Sequence, residues 1–286
     1  MKVSVIIPHY NRYEKLIKLI NTIPSDREVE IIVVDDCSTN LSDIQIKTLE
    51  NMEKITFIRN LENKTAGYSR NLGLEKAKGE YVIFADSDDF FIEENFNEIY
   101  KLIEDNDNDI IFFPPVGKSE IEGKKTKRGK KISKYVYSYY KRRNFKNEMM
   151  LRYSFQVPWS KLYKKSFIKK HNIKFDEIKV SNDVMFSTKT GYYAEKIKAH
   201  NVPIYVSVKS KDSLTGTINH EILNIRLRVH LEYLGYLSEK LTKKEMKFFK
   251  RSKLNYIYRR YKQNFKLSSI TRAYKDIKSL NKNKKK

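Results

Sequence analysis

Three acids fall within four positions, Asp86, Asp88 and Asp89, directly after the apolar run Tyr81-Val82-Ile83-Phe84-Ala85. Carboxylates this dense serve a hard divalent cation such as Mg2+ or Mn2+ shared with phosphates, or form an acidic turn capping the next helix. An unpaired carboxylate is costly inside a sheet, so these acids must emerge at the carboxyl end of the run. Open α/β sheets bind their ligands in that crevice. Asp35-Asp36-Cys37-Ser38 ends a second apolar run at 30–34, and Pro8-His9-Tyr10-Asn11 ends a third at 2–7. A parallel sheet brings all three polar ends to one edge, beside a helix opened by Gly67 and carrying Ser69, Arg70 and Asn71. Such convergence makes a nucleotide site the default reading. Neither Gly-x-x-x-x-Gly-Lys nor Gly-x-Gly-x-x-Gly is present, so a diphosphate would be held through a cation and Arg70.

The elements that position these groups follow from periodicity. Apolar runs at 2–7, 30–34, 55–58, 81–85, 109–113 and 203–209 read as strands. Helical spacing connects them: Tyr13 to Ile23, residues 41–52, Thr65 to Ala77 with Gly79 as a cap, and Phe96 to Ile103. Alternation of this kind predicts an α/β fold with a mostly parallel sheet covered by helices on both faces. Beyond Pro114-Pro115 the pattern thins. Residues 117–134 read as a mobile Lys/Gly-rich loop, 135–152 as one helix, and 157–163 as an irregular segment before another helix. A helix is expected from Ser181-Asn182-Asp183 onward, with Ser181 or Asn182 as its cap. Two more are expected at 220–240 and 243–265 before a frayed tail ending in Lys284-Lys285-Lys286.

Composition bounds the remaining possibilities. No apolar stretch approaches the roughly 18 residues of a membrane span, and residues 3–7 are too short for the apolar part of a leader. The single cysteine, Cys37, cannot form an intrachain disulfide and suits a reducing cytoplasm as a small packed residue. The formal charge of +23 calls for an anionic partner or for well-solvated lysines. The basic excess lies at 124–146 and in the C-terminal third, apart from the acidic site. That separation fits an enzyme with a docking face, and nucleic acid is not expected.

Four blocks in order carry a family resemblance: Val3-Ser4-Val5-Ile6-Ile7-Pro8-His9-Tyr10-Asn11, Ile32-Val33-Val34-Asp35-Asp36-Cys37-Ser38, Gly67-Tyr68-Ser69-Arg70-Asn71-Leu72-Gly73, and Gly79 to Asp89 with its Asp-x-Asp segment. They resemble the family 2 glycosyltransferases of the GT-A fold, densely over 1–115. Trp159-Ser160-Lys161-Leu162-Tyr163 is similar to a stretch of bacterial capsule and lipooligosaccharide transferases. The resemblance implies that Pro8, Tyr10 and Asn11 line the nucleotide pocket, that Asp36 binds uracil or ribose, and that Arg70 sits by the base or diphosphate. It implies that Asp86 and Asp88 handle the sugar nucleotide and a Mn2+ or Mg2+ ion, with Asp89 close behind. Asp183 matches the catalytic base, against the plainer reading of a helix-start acid favoured by the macrodipole. Asn182 stands where the family usually has Glu, which bears on acceptor contacts.

Further expectations concern the acceptor side. Trp159 is read as stacking on an acceptor sugar or as a buried anchor, and Lys161 as reaching an acidic acceptor or as a solvated lysine. Asp212 and Ser213 are read as closing over the diphosphate. Residues 1–215 are expected to form the GT-A domain, with a nucleotide half at 1–115 and an acceptor half at 116–215. Residues 216–286 would be a basic, aromatic helical extension that docks on an anionic inner-membrane surface. The implied activity is metal-dependent, inverting transfer of a hexose or N-acetylhexosamine from a UDP-sugar to a glycan or lipid-linked glycan. The surface glycan would be a capsule, lipooligosaccharide or O-antigen, and the site of work the cytoplasmic membrane face. The alternatives are a nucleotidyltransferase, for which residues 8–12 lack a triphosphate loop, and a non-catalytic basic adaptor.

Overall fold

The computed structural model describes residues 2–24, 28–105, 107–120, 123–209 and 219–249. Seven strands form the main sheet in the order β3-β2-β1-β4-β8-β6-β9: β1 (Val3–His9), β2 (Val29–Asp35), β3 (Ile55–Arg59), β4 (Tyr81–Phe84), β6 (Ile110–Phe112), β8 (Lys161–Lys164) and β9 (Ile197–Ala199). Neighbours are parallel except where β8 runs antiparallel between β4 and β6. A second sheet, β5-β10-β7, joins β5 (Phe90–Phe91), β7 (Val116–Ser119) and β10 (Tyr205–Lys209).

Period-two alternation explains why the central runs are apolar throughout. Val3, Val5, Ile7, Val29, Ile31 and Val33 enter one core cluster, while Ile6, Ile32 and Val34 enter the other. The first cluster is covered by α1 (Tyr13–Ile20), α2 (Asp43–Asn51) and α4 (Asn97–Asp105), through Leu16, Leu49, Ile99 and others. The second face carries α3 (Ala66–Lys76), α5 (Lys130–Lys141), α6 (Phe145–Ser154) and α8 (Val184–Tyr193). Short α7 (Lys165–Lys170) follows β8. A strand buried on both faces has no need of polar positions, which is the rule for parallel sheets.

Three expectations change. Residues 117–134 are largely ordered: β7 pairs with β10, Lys118 bridges Lys125, and α5 already begins at Lys130. Gly117 permits the fold-back, since a Cβ there would lie 2.3 Å from the Arg128 carbonyl oxygen. The single helix at 135–152 is two, because Arg142 is extended and Asn144 accepts the Asn147 N–H at 2.9 Å as a fresh N-cap. The supposedly irregular 157–163 ends in strand β8.

The chain divides into Met1–Ile222 and Leu223–Lys286. The helix α9 (His220–Lys240) spans the division, and α10 (Lys243–Met246) follows with a Thr242–Glu245 capping box. The expected helix reaching 265 and the pair Asp212 and Ser213 lie outside the described residues. Among those described, no helix is long and apolar enough to cross a membrane.

Candidate active site

The carboxyl ends of β1 and β2 are locked together by a buried histidine. The His9 Nε2 accepts the Arg12 backbone N–H at 3.1 Å, so Nδ1 is the nitrogen that donates to Asp35 at 2.8 Å. Asp35 also takes the Ser38 hydroxyl and backbone N–H, and Arg59 lies 3.3 Å away. Burial raises the Asp35 pKa, but the His9 and Ser38 hydrogen bonds outweigh it and hold the carboxyl below its ordinary value. Asn11, at φ +54°, donates its backbone N–H to Ser38 Oγ and accepts from the Thr39 N–H, each at 2.8 Å. Pro8 stays inside β1 opposite Val34, past the point where the β1–β4 register stops at Ile6. A proline is tolerated where a strand loses a partner. Tyr10 is 43% exposed at the mouth.

Asp36 organises the next loop. Its Oδ1 accepts from the Asn60 side chain at 2.8 Å and the Lys64 N–H at 2.9 Å, and its Oδ2 from the Thr65 N–H at 2.8 Å. These bonds deliver α3, whose block Gly67 to Gly73 now has a physical reading. A Cβ on Gly67 would meet the Asp176 carbonyl oxygen at 2.1 Å, and one on Gly73 would meet Ile6 Cγ2 at 2.5 Å. Asn71 exchanges hydrogen bonds with the Phe175 backbone, at 2.8 Å and 3.0 Å. Arg70, 6% exposed, donates to Asn182 Oδ1 at 2.8 Å and to Asp86 Oδ1 at 2.7 Å. Its Nε–H is buried with no hydrogen-bond partner among the described residues, and the guanidinium lies over the Phe175 ring. Helix α3 therefore clamps the segment before α8 against the end of β4.

At that end the three acids take different roles. Asp86 pairs with Arg70 and Asp88 with Arg12, with side chains 28% and 12% exposed. Asp89 turns inward and accepts from Tyr205 OH at 2.8 Å and the Val208 N–H at 2.7 Å. Burial, then the charges of Asp86 and Asp88, push Asp89 well above the ordinary carboxylate value. Tyr205 OH in turn accepts the Asp86 N–H at 2.9 Å, tying the small sheet to the acidic turn. Asp86 and Asp88 remain the carboxylates open to an incoming cation. Among the described residues no three acids, histidines or cysteines form a closed cage. Two partly buried carboxylates suit an ion that completes its shell with phosphate oxygens and water.

Asp183 lies at the start of α8, between helix and turn. Asp183 itself is the N-cap, while Ser181, expected as one choice, sits at φ +60° and Asn182 faces Arg70. Among the described residues the half-buried Asp183 carboxylate forms no ion pair and no capping bond to α8, and takes a hydrogen bond from its own backbone N–H. Burial pushes it up to about 6, the Arg70 guanidinium pulls the other way, and the Asp86 carboxylate adds to the rise. The environment is that of a proton acceptor working near neutrality.

The acceptor residues read from the sequence sit deeper than contact requires. Trp159 is 5% exposed and stacks on Tyr205 at 5.4 Å, so that face is already covered. Lys161 is 1% exposed, donates to the Phe155 carbonyl at 2.7 Å and lies 4.3 Å over the Phe155 ring. Burial holds its pKa well below the usual lysine value, with Asp183 opposing. Both are anchors of β8. Arg12 and Tyr205 were missed as site residues: one directly follows the Asn11 turn, the other is an aromatic in an otherwise apolar strand, and neither has a local signal. A cavity of 480 Å³ lined by Asp107, Glu148, Arg152 and Lys196 opens instead at the amino ends of β6 and β9.

Comparison with known proteins agrees with this geometry. The family model described as Glycosyl transferase family 2 matches residues 4–171. The poly(ribitol-phosphate) beta-N-acetylglucosaminyltransferase TarS of Staphylococcus aureus is 28% identical over 79% of this chain and 41% of its own length. TarP of the same species is 30% identical over 65% of this chain and 56% of its own length. The poly(ribitol-phosphate) beta-glucosyltransferase of Bacillus spizizenii is 32% identical over 69% of this chain and 30% of its own length. The chain thus spans about half or less of these relatives. The crystal structure of S. aureus TarS 1-349 with UDP-GlcNAc superposes with a TM-score of 0.67 over 92% of this chain and 73% of that one, at 22% identity, a likeness of fold. The chain belongs to glycosyl transferase family 2.

Proposed function

We propose that the chain is an inverting glycosyltransferase that moves a hexose or N-acetylhexosamine from a UDP-sugar to a hydroxyl of a bacterial surface polymer. The observation that carries this reading is the clamp: Arg70 holds both Asp86 and Asn182, and so sets Asp183, next in the chain, beside the acidic rim. Asp183 takes the proton of the acceptor hydroxyl as that oxygen attacks the anomeric carbon. The bond to the nucleoside diphosphate breaks on the opposite face, and the anomeric configuration inverts. Arg70 and Arg12 keep the rim carboxylates in place, and Asn11, Tyr10 and Asp36 shape the nucleotide side. A Mn2+ or Mg2+ ion held by Asp86 and Asp88 would offset charge on the departing diphosphate.

Two relatives named above act on poly(ribitol-phosphate) with N-acetylglucosamine and one with glucose. Their names favour a phosphodiester polymer as acceptor here, ahead of capsule or lipooligosaccharide. Work at an anionic membrane face, first assigned to the C-terminal region, belongs to the same reading. The test is UDP release from a panel of UDP-sugars, with and without Mn2+ and with poly(ribitol-phosphate) as acceptor. Labelled sugar should appear in the polymer from one or two donors. Turnover of nucleoside triphosphates with no UDP release would give the case to a nucleotidyltransferase.

A further inference from the structure

Residues 123–147 hold eleven lysines and arginines and no acid. Helix α5 sorts them to one side. Val136 and Tyr139 are buried and Ile132 packs against the core, whereas Lys130, Lys134, Tyr137 and Lys141 recur at i, i+4, i+7 and i+11 and are exposed. Arg142, Arg143 and Lys146 continue the exposed basic surface past the helix end. None of Lys130, Lys134, Lys141, Arg142, Arg143 or Lys146 forms an ion pair among the described residues.

Aromatic rings are set among these charges. Six large apolar side chains are exposed among the described residues, and three of them, Tyr137 (38%), Tyr140 (46%) and Phe145 (43%), fall within nine positions here. Cations alone would suit any polyanion. Rings with an apolar body and, for tyrosine, a polar tip belong at the headgroup layer of a bilayer, where lysine and arginine meet anionic lipid. Immediately before the helix, Arg128 Nε donates to Ser207 Oγ at 2.7 Å, one residue from the Val208 N–H that holds Asp89. The basic segment is thereby joined to the acidic rim.

We infer that the exposed face of α5, with Arg142 to Lys146, is a docking surface for an anionic lipid bilayer. This surface is built from residues 130–146 rather than from the C-terminal region first assigned to the membrane, and needs no knowledge of the acceptor. Docking through it would hold the chain at the membrane surface, where a membrane-attached polymer is at high local concentration.

The full chain is sedimented with vesicles of phosphatidylcholine alone or mixed with phosphatidylglycerol. Binding is expected only to the mixed vesicles. It should weaken by about tenfold or more in K130Q/K134Q/K141Q/R142Q/R143Q, and several-fold in Y137S/Y140S/F145S. Hydrogen exchange of the unaltered chain on those vesicles should show new protection at 130–146, a readout that needs no variant. Failure of the unaltered chain to bind, wild-type binding by the charge variant, or protection confined elsewhere would overturn the inference. So would full vesicle binding by the aromatic variant with equally tight capture of soluble polyphosphate, which would mark the face as a polyanion groove.

Discussion

The rim of β1, β2 and β4 and the turn before α8 both carry acids, and they treat them in opposite ways. Asp35, Asp36 and Asp89 are each held by two or more hydrogen bonds, and Asp86 and Asp88 each by an arginine. Among the described residues Asp183 has no donor beyond its own backbone N–H, and burial raises its affinity for a proton. An acid caught by donors, whether held below its ordinary value like Asp35 or pushed above it like Asp89, is committed to shaping backbone or neighbour. One whose surroundings oppose its ionisation is suited to exchanging a proton. The difference sets the donor-held acids apart from Asp183, the base of the proposed reaction, although all are aspartates.

The comparison breaks most directly at Asp183. Replacement by Asn should cut transfer by about 1,000-fold while calorimetry shows UDP-sugar binding intact, as expected of a lost general base. Near-normal turnover would place the base elsewhere. Next in size is Arg70→Met, which removes the partner of Asp86 and the anchor of Asn182 together. Steady-state kinetics should show about a 100-fold fall in kcat from misplacement of the base. Urea unfolding should show a loss of about 3 kcal/mol for the broken pair. Loss of the neighbouring cation should also move the acid limb of the pH profile upward.

In the unaltered chain, kcat should drop by about tenfold per unit below pH 6 and level above it, because the base must be ionised. The stability effect has the opposite sense. Asp183 binds its proton more tightly folded than unfolded, so its contribution is full below 3.8 and is lost as pH rises through about 6. Melting curves of D183N across that window should lack this slope. The smallest effect is expected for Asp36→Asn. An amide offers one acceptor oxygen where the carboxylate uses two, which leaves a loop N–H short and costs about 1–3 kcal/mol. Its kcat should change only a few-fold. A loss matching that of D183N would erase the distinction between rim and base.

Much of this was legible from residue order. Continuous apolar runs ending in Asn11, Asp36 and Asp86 predicted buried parallel strands with a polar edge, and the register of β1 with β2 and β4 is that arrangement. Legibility failed where partners are distant. The turn at 117–128 looked like loose chain because its order rests on Gly117 meeting Arg128 and on β10, some ninety residues further on. Lys161 looked like a surface group, and Trp159 stayed open between sugar stacking and a buried anchor, because their burial is imposed by the distant Tyr205 and by Phe155.

Sequence alone determined the strands, the sheet edge and the presence of acids there, since period-two burial and the cost of an enclosed carboxylate act over a few residues. Only the tertiary structure decided which acids are held by distant partners and which, among the described residues, is not. That depends on Arg70 reaching at once to Asp86 and Asn182, 16 and 112 positions away. No local pattern encodes such a bridge, because the energy of a buried guanidinium is set by what surrounds it in space.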